Sequence, residues 1–405
     1  MDSSSQHPTT LELMQGFPPP PAQRVTWSNW LRPPFNRWGL QHLDQLRPTL
    51  AVRAGQGALS PLAAGPDQLL DYRFTGVQGD SLDLAQHLQD SYTDAFLVLK
   101  GNQVLCERYF NGQTPDSRHS MFSVTKSVIG TLAEQALLQG VLSAEALAGD
   151  LVPELAGSAF ADASVRQLLD MTVGIDYDEV YDDPDSASSR YGYACGFEPA
   201  PPGHGQHASL YEYLPSLKKR GEHGAAFHYV TACTEVLAWT LERAGGRSCA
   251  TLLEELWLQL GCRRDGFFVA DPWGRAVAGA GFAATLQDMA RFGRLLANRG
   301  ALPDGRTLLD PAVIDALSAG GDAALYAQVP DFAEWTPGAS YRSQWYVFRD
   351  GRPALIAGGV HGQYLYIDPA AHLVVVKQSS LPSANTAADI DTVRLLRSLG
   401  EHFAD

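Results

Sequence analysis

Ser123 and Lys126 lie three positions apart, just before an apolar run that extends from Val128 to Val141. Three residues make nearly one helical turn, so a helix here would place the hydroxyl and the amine on the same face. A serine hydroxyl is a weak nucleophile at neutral pH unless a base lies within hydrogen-bond reach, and a lysine with a depressed pKa can be that base. The spacing therefore predicts a serine nucleophile with a lysine partner.

The same spacing occurs a second time, from Ser216 to Lys219. This copy lies in LPSLKKRGEHG, a short basic segment without a following apolar period, so we interpret it as a solvated loop or a helix end. After Ser123, in contrast, apolar residues recur at helical spacing and would bury the helix beside its serine. The sequence context therefore favours Ser123 over the second copy.

Two further segments carry groups that this chemistry would need. Tyr229 directly precedes an apolar helix, and a phenol whose pKa is lowered by a neighbouring ammonium could pass a proton between nucleophile and leaving group. The glycine-rich stretch 358–362 interrupts a β-rich tail, and close approach of a ligand there would let the Val360 N–H point at a developing oxyanion. A bulge or bend in the sheet explains these glycines equally well.

The patterns of the chain predict two lobes, because 405 residues exceed the roughly 250 to 300 that one core supports. Residues 1–26 are rich in Ser, Pro and Gln and are predicted to be a flexible lead-in. Residues 27–118 and 295–405 predict one α/β sheet domain of the α+β type, including a hairpin in DAFLVLKGNQVLCERYF and four strands and a helix in the tail. Residues 119–294 predict a mostly helical domain that carries Ser123, Lys126 and Tyr229.

Composition excludes several classes of partner. Thirty Lys and Arg against 45 Asp and Glu give a net charge of −15, which disfavours binding to nucleic acid or to an anionic membrane. The sequence has no run of about 18 apolar residues and no signal-like N-terminus, so we expect neither a membrane span nor secretion. Five widely scattered cysteines predict a reduced, cytoplasmic protein.

Two other hydrolase classes fit the sequence less well than a serine–lysine hydrolase. No G-x-S-x-G motif is present, which disfavours an α/β-hydrolase. Four histidines fall in one loop-rich region, but no H-E-x-x-H or H-x-H-x-D pattern completes a ligand set, so we expect surface histidines, no metal and no cofactor. These histidines are His204, His207, His223 and His228.

The order of the motifs resembles a known superfamily. S-x-x-K, then LLDMTVGIDYDE, then Y-x-T and a glycine-rich strand are similar to the class C β-lactamase and penicillin-binding-protein-like serine hydrolases, which include esterases. From about Trp27 to the C-terminus the chain looks most like the 6-aminohexanoate-dimer hydrolases of that superfamily. The stretches that carry this closer resemblance are NRWGLQHLDQL, DAFLVLKGNQVL, MFSVTKS, VPELAGS, IDYDEVYDDP, VLAW and VHGQYLYIDP.

The resemblance implies a β-lactamase/transpeptidase-like fold and a role for each matching position. Ser123 would be the acyl-accepting nucleophile, Lys126 would activate it, and Tyr229 would act with Lys126 as general base and acid. The oxyanion hole would consist of the backbone N–H groups of Ser123 and Val360. Substrate would be contacted by Tyr181, Gly359, His361 and Trp345.

Departures from the family pattern bear on the substrate. Ala357-Gly358-Gly359 stands where penicillin-recognising members have Lys-Thr-Gly, and the missing cation argues for ester cleavage over β-lactam or peptide cleavage. Thr231 replaces the amide of the Tyr-x-Asn motif with a hydroxyl. Efficient dimer hydrolases carry a carboxylate for the substrate's ammonium where this chain has Gly192, and some relatives have Asn where Gly279 stands.

These departures lead us to expect a small ester as the first substrate, with hydrolysis of the linear amide weak or absent. Acidic residues after Tyr181 could substitute for the missing carboxylate, namely Asp182, Asp183 and Asp185. The alternatives are a true 6-aminohexanoate-dimer amidase, a β-lactamase, and a non-catalytic ligand-binding protein of the same fold.

The substrate pocket is predicted only in outline. Specificity is expected to reside in the loops 178–225 and 325–345. Four aromatic residues could form an apolar acyl pocket, although such residues are more often core: Tyr191, Trp335, Trp345 and Tyr346. The oligomeric state is not fixed by the sequence, and a homodimer stays open.

Overall fold

The computed structural model describes residues 12–57 and 59–404, and this part of the chain holds fourteen strands in three sheets. The strands are β1 (Thr49–Val52), β2 (Ala63–Ala64), β3 (Arg73–Thr75), β4 (Ser81–Asp83), β5 (Thr93–Lys100), β6 (Gln103–Tyr109), β7 (His119–Ser120), β8 (Gly266–Val269), β9 (Phe282–Ala284), β10 (Ala339–Arg342), β11 (Trp345–Phe348), β12 (Ala354–Gly359), β13 (Gln363–Asp368) and β14 (Leu373–Ser379).

The central sheet has eight strands in the order β10-β11-β12-β13-β14-β5-β6-β2. The hairpin β5–β6 turns at Gly101, whose φ of 57° lies in the left-handed region that glycine adopts without strain. All pairings in this sheet are antiparallel except β2 with β6. The prediction of one sheet built from N-terminal and C-terminal segments is thus confirmed.

Two smaller sheets were not anticipated. β1 pairs with β8, β8 with β9, and β9 with β7, so the segment predicted to be mostly helical contributes three strands to a second sheet. β3 and β4 form a separate antiparallel pair. These strands are two to four residues long and carry no alternation long enough to read from the sequence.

Helices pack against the central sheet and against one another. They are α1 (Asn36–Gly39), α2 (Leu43–Leu46), α3 (Leu84–Asp90), α4 (Val124–Leu138), α5 (Ala148–Leu151), α6 (Val165–Leu169), α7 (Ala187–Ala194), α8 (Leu210–Tyr213), α9 (Thr231–Gly245), α10 (Cys249–Leu260), α11 (Leu286–Ala297), α12 (Pro311–Ser318), α13 (Ala323–Tyr326), α14 (Pro330–Trp335) and α15 (Ala387–His402), with short 3-10 turns at Pro21–Gln23, Pro153–Leu155 and Leu214–Ser216.

α4 is buried on nearly all sides, which explains its apolar sequence. It packs against α9 and α12 and against β11, β12 and β13. Its buried polar side chains are paired: Ser127 Oγ donates to the Gln344 carbonyl at 2.6 Å, and Glu134 forms an ion pair with Arg166 at 2.7 Å. These contacts join α4 to α6 and to the turn before β11.

α11 lies on the central sheet, against β5, β13 and β14. Gly293 allows this close packing, because a Cβ there would lie 2.5 Å from Val374 Cγ1. The predicted domain boundary at residue 294 thus falls inside a helix that packs on the sheet. The remainder of the domain division stays a prediction.

The N-terminal segment contacts the protein at two buried residues. Leu13 and Val25 are buried, whereas most of residues 12–26 are exposed, and residues 1–11 lie outside the described part. The flexible lead-in over residues 1–26 stays a prediction. Further along, Trp27 Nε1 donates to the Gly196 carbonyl at 2.9 Å and Trp30 Nε1 to the Phe197 carbonyl at 2.6 Å. These bonds fix the backbone that follows α7.

A buried ion cluster ties this N-terminal segment to the sheet. Asp94 on β5 forms an ion pair with Arg37 at 3.3 Å and accepts hydrogen bonds from His119 and Ser380. Burial alone would raise the pKa of Asp94, but Arg37 and His119 bring it below its usual range. The cluster joins four distant parts of the chain.

The described residues give three further findings on composition. All five cysteines are free, buried thiols. No helix between residues 12 and 404, the masked position 58 aside, combines the length and apolar character needed to cross a membrane. No group of three or more His, Cys, Asp or Glu side chains in the same part of the chain could hold a metal ion.

Candidate active site

Ser123 sits at the N-terminus of α4 with its hydroxyl uncommitted to capping that helix. The preceding residue, Phe122, has φ of 42°, a region that non-glycine residues rarely adopt and that often marks a functional turn. The first backbone N–H groups of a helix and its dipole favour negative charge at this position. Ser123 is 9% exposed and lies in the wall of a cleft.

Lys126 is the immediate partner of this hydroxyl. Its Nζ lies 2.8 Å from Ser123 Oγ and donates a second hydrogen bond, also of 2.8 Å, to the Gly279 carbonyl. Burial lowers the pKa of Lys126 to about 8, although Glu179 and Glu235 oppose this shift. An amine with this pKa is partly neutral near pH 8 and can accept the proton of the hydroxyl.

Tyr229 lies on the other side of the same amine, with its ring centroid 5.2 Å from Lys126 Nζ. Burial and the nearby Glu179 raise the pKa of Tyr229 above its ordinary value, while hydrogen bonding with Ser123 and Tyr346 acts in the opposite direction. The prediction of a lowered phenol pKa is therefore wrong. Because the phenol stays protonated, Tyr229 can donate a hydrogen bond and relay a proton, whereas Lys126 is the group able to act as base.

Gly359 ends β12 against the backbone of the nucleophile. A Cβ at this position would lie 2.6 Å from the Met121 carbonyl and 3.1 Å from Ser123 N, so only glycine permits the approach. The next residue, Val360, lines the same cleft as Ser123. The strand end and the helix start thus meet where an oxyanion hole would require them.

His361 also lines the cleft, at the turn that follows β12. Its φ is 61°, its Nδ1 lies 2.7 Å from the Leu381 carbonyl, and its ring packs on Phe122. Burial lowers the pKa of His361 below its ordinary value, so its ring is neutral near pH 7. The side chain can contact substrate as a neutral group.

Glu179 is a carboxylate that the sequence analysis did not single out. It accepts a hydrogen bond from the backbone N–H of Thr231, and hydrogen bonding also links it to Tyr181. Its Oε2 is buried without a partner in the described structure. Burial raises the pKa of Glu179, against the attraction of Lys126. Its position two residues before Tyr181, within a motif already noted, was the available signal.

Glu235 is the second such carboxylate, buried on α9. It accepts hydrogen bonds from Tyr191 Oη at 2.7 Å, Gly279 N at 2.7 Å and Ala278 N at 3.0 Å. A glutamate on an apolar helix face, four residues after Thr231, must be paired if it is buried, and this was the signal in the sequence.

A cleft of about 860 Å³ opens above Ser123. The segment 179–201 forms much of its wall, together with residues 31–33 and 382–385, neither of which was predicted to reach the site. Of the residues that line the cleft in the described structure, Arg32 is the only lysine or arginine. Three carboxylates also line the cleft: Glu179, Asp182 and Glu198. The cleft therefore carries an excess of negative groups.

Tyr181 is 42% exposed and lines the cleft, where the sequence predicted a substrate contact. Tyr191 and Gly192 line it as well, and a Cβ at Gly192 would meet no atom within 4 Å. A side chain at position 192 would therefore have room to enter the cleft. At Gly279, in contrast, a Cβ would lie 2.8 Å from Thr231 Cγ2.

The structure corrects the prediction that Trp345 contacts substrate. Its indole is fully buried, and Nε1 donates to Thr131 Oγ1 of α4 at 3.3 Å. Because side chains alternate across a strand, the next residue, Tyr346, faces Tyr229 instead, with the ring centroids 6.5 Å apart. The rings of Trp335 and Tyr346 pack with their centroids 4.7 Å apart. Neither residue lines the cleft, so neither belongs to an acyl pocket there.

The segment 325–345 is likewise not part of the cleft wall. Phe332 packs on Tyr229 with ring centroids 5.4 Å apart, so this segment supports the tyrosine from behind. The four loop histidines are not brought together as ligands. His204 pairs with Asp185 and His223 with Asp162, both through Nε2.

A second buried Ser–Lys pair occurs in β14, where Lys377 Nζ donates to Ser379 Oγ. Burial lowers the pKa of Lys377 to about 8, as it does for Lys126. Neither residue of this pair lines the cleft. The two pairs consist of the same groups, and of the two serines it is Ser123 that lines the cleft.

Comparison with known proteins identifies the family. A family model described as Beta-lactamase matches residues 83–398. The chain is 36% identical over 385 residues to the 6-aminohexanoate-dimer hydrolase of Paenarthrobacter ureafaciens, covering 95% of this chain and 94% of that protein.

Solved structures agree with this assignment. A Bacillus anthracis protein, described as a candidate 6-aminohexanoate-dimer hydrolase, matches with a TM-score of 0.85 and 28% identity, covering 95% of this chain and 98% of that one. A penicillin-binding protein homologue from Caulobacter crescentus matches with a TM-score of 0.57 and 18% identity, over 78% of this chain and 96% of that one, and shares the fold. This chain therefore belongs to the beta-lactamase family of serine hydrolases.

Proposed function

We propose that this protein hydrolyses small carboxylic esters through an acyl-enzyme on Ser123, and that short linear amides are slower substrates. The observation that carries the proposal is the 2.8 Å contact between Lys126 Nζ and Ser123 Oγ at the base of an open cleft. The pKa of about 8 for Lys126 supports its role as base.

The reaction follows from the groups around Ser123. Neutral Lys126 takes the hydroxyl proton while Ser123 Oγ attacks the substrate carbonyl, and the backbone N–H groups of Ser123 and Val360 stabilise the oxyanion. The resulting ammonium returns the proton to the departing alcohol or amine, with the hydroxyl of Tyr229 as a relay. Water then attacks the acyl carbon by the same route and regenerates the free serine.

The charges on the cleft wall favour an ester over a β-lactam. A penicillin or a cephalosporin carries a carboxylate, and the sequence Ala357-Gly358-Gly359 offers no cation on the strand beside Ser123. The carboxylates of Glu179 and Asp182 on the cleft wall would repel such a substrate. A neutral ester carries no charge that these carboxylates would repel.

Amide cleavage is the second candidate, supported by the 36% identity to a 6-aminohexanoate-dimer hydrolase. Tyr181 lines the cleft, where its hydroxyl could meet the nitrogen of a scissile amide. With Gly192 the chain provides no carboxylate at the position where efficient dimer hydrolases have one. We therefore propose weak turnover of the linear dimer.

The test compares Ser123→Ala with Ser379→Ala, the matched change in the second Ser–Lys pair. Both variants and wild type are assayed on p-nitrophenyl acetate and butyrate, a cephalosporin and the 6-aminohexanoate linear dimer, and intact mass after brief ester exposure reports acylation. We expect acylation and turnover to vanish only in Ser123→Ala. Full activity in a folded Ser123→Ala would refute the proposal, and absence of turnover in wild type would favour a binding protein.

A further inference from the structure

We propose that Glu235 is a positioning residue for Lys126: its carboxylate fixes the backbone at Ala278 and Gly279, and this backbone holds the amine against Ser123. The inference rests on the proposed function, since it gives Glu235 a part in the reaction of Ser123. It concerns a side chain that does not line the cleft and so acts only through its neighbours.

Glu235 holds two consecutive peptide groups. Oε1 accepts from Gly279 N at 2.7 Å, and Oε2 accepts from Ala278 N at 3.0 Å. Tyr191 Oη donates to Oε1 at 2.7 Å as a third partner. Hydrogen bonds to an ionised carboxylate are roughly twice as strong as those between neutral groups. The segment is thus fixed by a group that must accept at both oxygens.

Lys126 connects this backbone to the nucleophile. The Gly279 carbonyl accepts a hydrogen bond from Lys126 Nζ at 2.8 Å, and the same amine reaches Ser123 Oγ at 2.8 Å. The Gly279 peptide packs closely against the carboxylate, because a Cβ on Gly279 would lie 3.0 Å from Glu235 Oε1. Any release of the carboxylate would therefore alter the direction of the amine.

The two backbone N–H groups require a glutamate at position 235. A glutamine has one acceptor oxygen and one amide donor, so it would turn an N–H toward one of the two backbone N–H groups. A buried carboxylate is costly unless it is fully hydrogen-bonded, and a neutral side chain would cost less if it served only to pack the helix.

The charge of Glu235 also acts on Lys126, raising the pKa of the amine against the effect of burial. Burial raises the pKa of Glu235 itself to about 7, with the bond from Tyr191 opposing that shift. The carboxylate is therefore ionised in the range where Lys126 begins to lose its proton. The titratable groups that interact with Glu235 are Lys126 of α4, Tyr191 and Cys195 of α7 and its end, Tyr211 of α8 and Cys249 of α10.

The experiment measures ester hydrolysis by Glu235→Gln from about pH 5.5 to about pH 10. We expect kcat to fall by about tenfold or more with KM within about twofold, because the amine is misdirected. The acid limb of the kcat/KM profile should move to lower pH, because Lys126 loses a neighbour that raises its pKa. The matched control is Glu134→Gln, the same change at a buried glutamate of α4 that pairs with Arg166; it should leave the limb in place.

A second variant keeps the proposal testable if Glu235→Gln fails to fold. Tyr191→Phe removes the hydrogen bond that holds down the pKa of Glu235, so the carboxylate stays protonated to a higher pH and holds the Gly279 peptide less well there. The acid limb, to which Glu235 and Lys126 both contribute, should therefore move to higher pH, opposite to the shift in Glu235→Gln. A merely structural carboxylate would produce no such pair of shifts.

Two outcomes separate this inference from the proposed function. If Ser123→Ala loses turnover while Glu235→Gln and Tyr191→Phe keep the wild-type pH profile and a kcat within twofold of Glu134→Gln, the positioning role is overturned and the serine mechanism stands. If Ser123→Ala retains full activity in the same assay, the proposed function fails and the inference fails with it.

Discussion

The Nζ of Lys126 lies 2.8 Å from the Oγ of Ser123, and burial lowers the pKa of this amine to about 8. Only the neutral amine can accept the serine proton, so the active fraction grows as the pH rises through the pKa of Lys126. We predict that kcat/KM for p-nitrophenyl acetate increases at least tenfold per pH unit below about pH 7, where protonation of Glu235 adds to that of Lys126, and levels off above about pH 9. A profile flat from pH 6 to pH 9 would contradict this, with the spontaneous hydrolysis of the ester as the blank.

Substitution of Lys126 tests the same assignment directly. Lys126→Ala should lower kcat by about 10³-fold, since general-base catalysis contributes about 10² to 10⁴. Added methylamine should restore part of the activity in this variant, because the deletion leaves space for a small neutral base. Rescue should be absent in Ser123→Ala, which has the base and lacks the nucleophile. Wild-type rates in Lys126→Ala would exclude the lysine as base.

The raised pKa of Tyr229 leads to a different expectation for the phenol. Tyr229→Phe should reduce kcat by about 10²-fold through loss of the proton relay. The acid limb of the profile should stay where wild type has it, because Lys126 and Glu235 set that limb and the phenol does not ionise in this range. Loss of the limb in Tyr229→Phe would instead identify Tyr229 as the ionising base.

The residues proposed to perform the chemistry could be predicted because they stand in local patterns. Ser123 and Lys126 share one helical turn, and the fold around them follows from strands that contain apolar runs, such as β5 and β14, which are buried along nearly their whole length. The strands β7, β8 and β9 were missed because each has four residues or fewer. The equally short β11 was predicted because it lies within the β-rich tail, whereas β7, β8 and β9 lie in a segment whose patterns are mainly helical.

Side-chain direction and long-range contacts were not readable. The sequence analysis predicted a substrate contact for Trp345 and named Tyr346 only with it in an acyl pocket. The register of β11 turns Trp345 toward α4 and Tyr346 toward Tyr229. Glu235 reaches Gly279 across 44 positions, a pairing that no local pattern encodes. The contribution of residues 31–33 to the cleft depends in the same way on where the N-terminal segment packs.

The contact of Gly359 with Ser123 predicts a sharp effect of a single methyl group. In Gly359→Ala the Cβ would lie 2.6 Å from the Met121 carbonyl and 3.1 Å from Ser123 N, so the strand end must move away from the nucleophile. We expect kcat to fall by about 10²-fold, the cost of one misplaced oxyanion donor, with KM little changed.

Gly57→Ala is the matched control for this change, since a Cβ at Gly57 meets no atom within 4 Å. Thermal unfolding of both variants separates a moved strand end from a lost fold. Equal kcat values for Gly359→Ala and Gly57→Ala would show that this backbone approach does not serve catalysis.

The open space at Gly192 allows the substrate preference to be changed. A carboxylate introduced there would enter the cleft and could pair with the ammonium of the 6-aminohexanoate linear dimer, as the resemblance to efficient dimer hydrolases implies. We predict that Gly192→Asp raises kcat/KM for the dimer by about tenfold, equivalent to about 1.4 kcal/mol, and leaves the rate on p-nitrophenyl acetate within about twofold. Gly192→Asn has nearly the same shape without the charge and should give no comparable gain. Amine release, measured by chromatography of 6-aminohexanoate, reads out both variants, and an equal gain with Asn would mean that shape and not charge limits amide turnover.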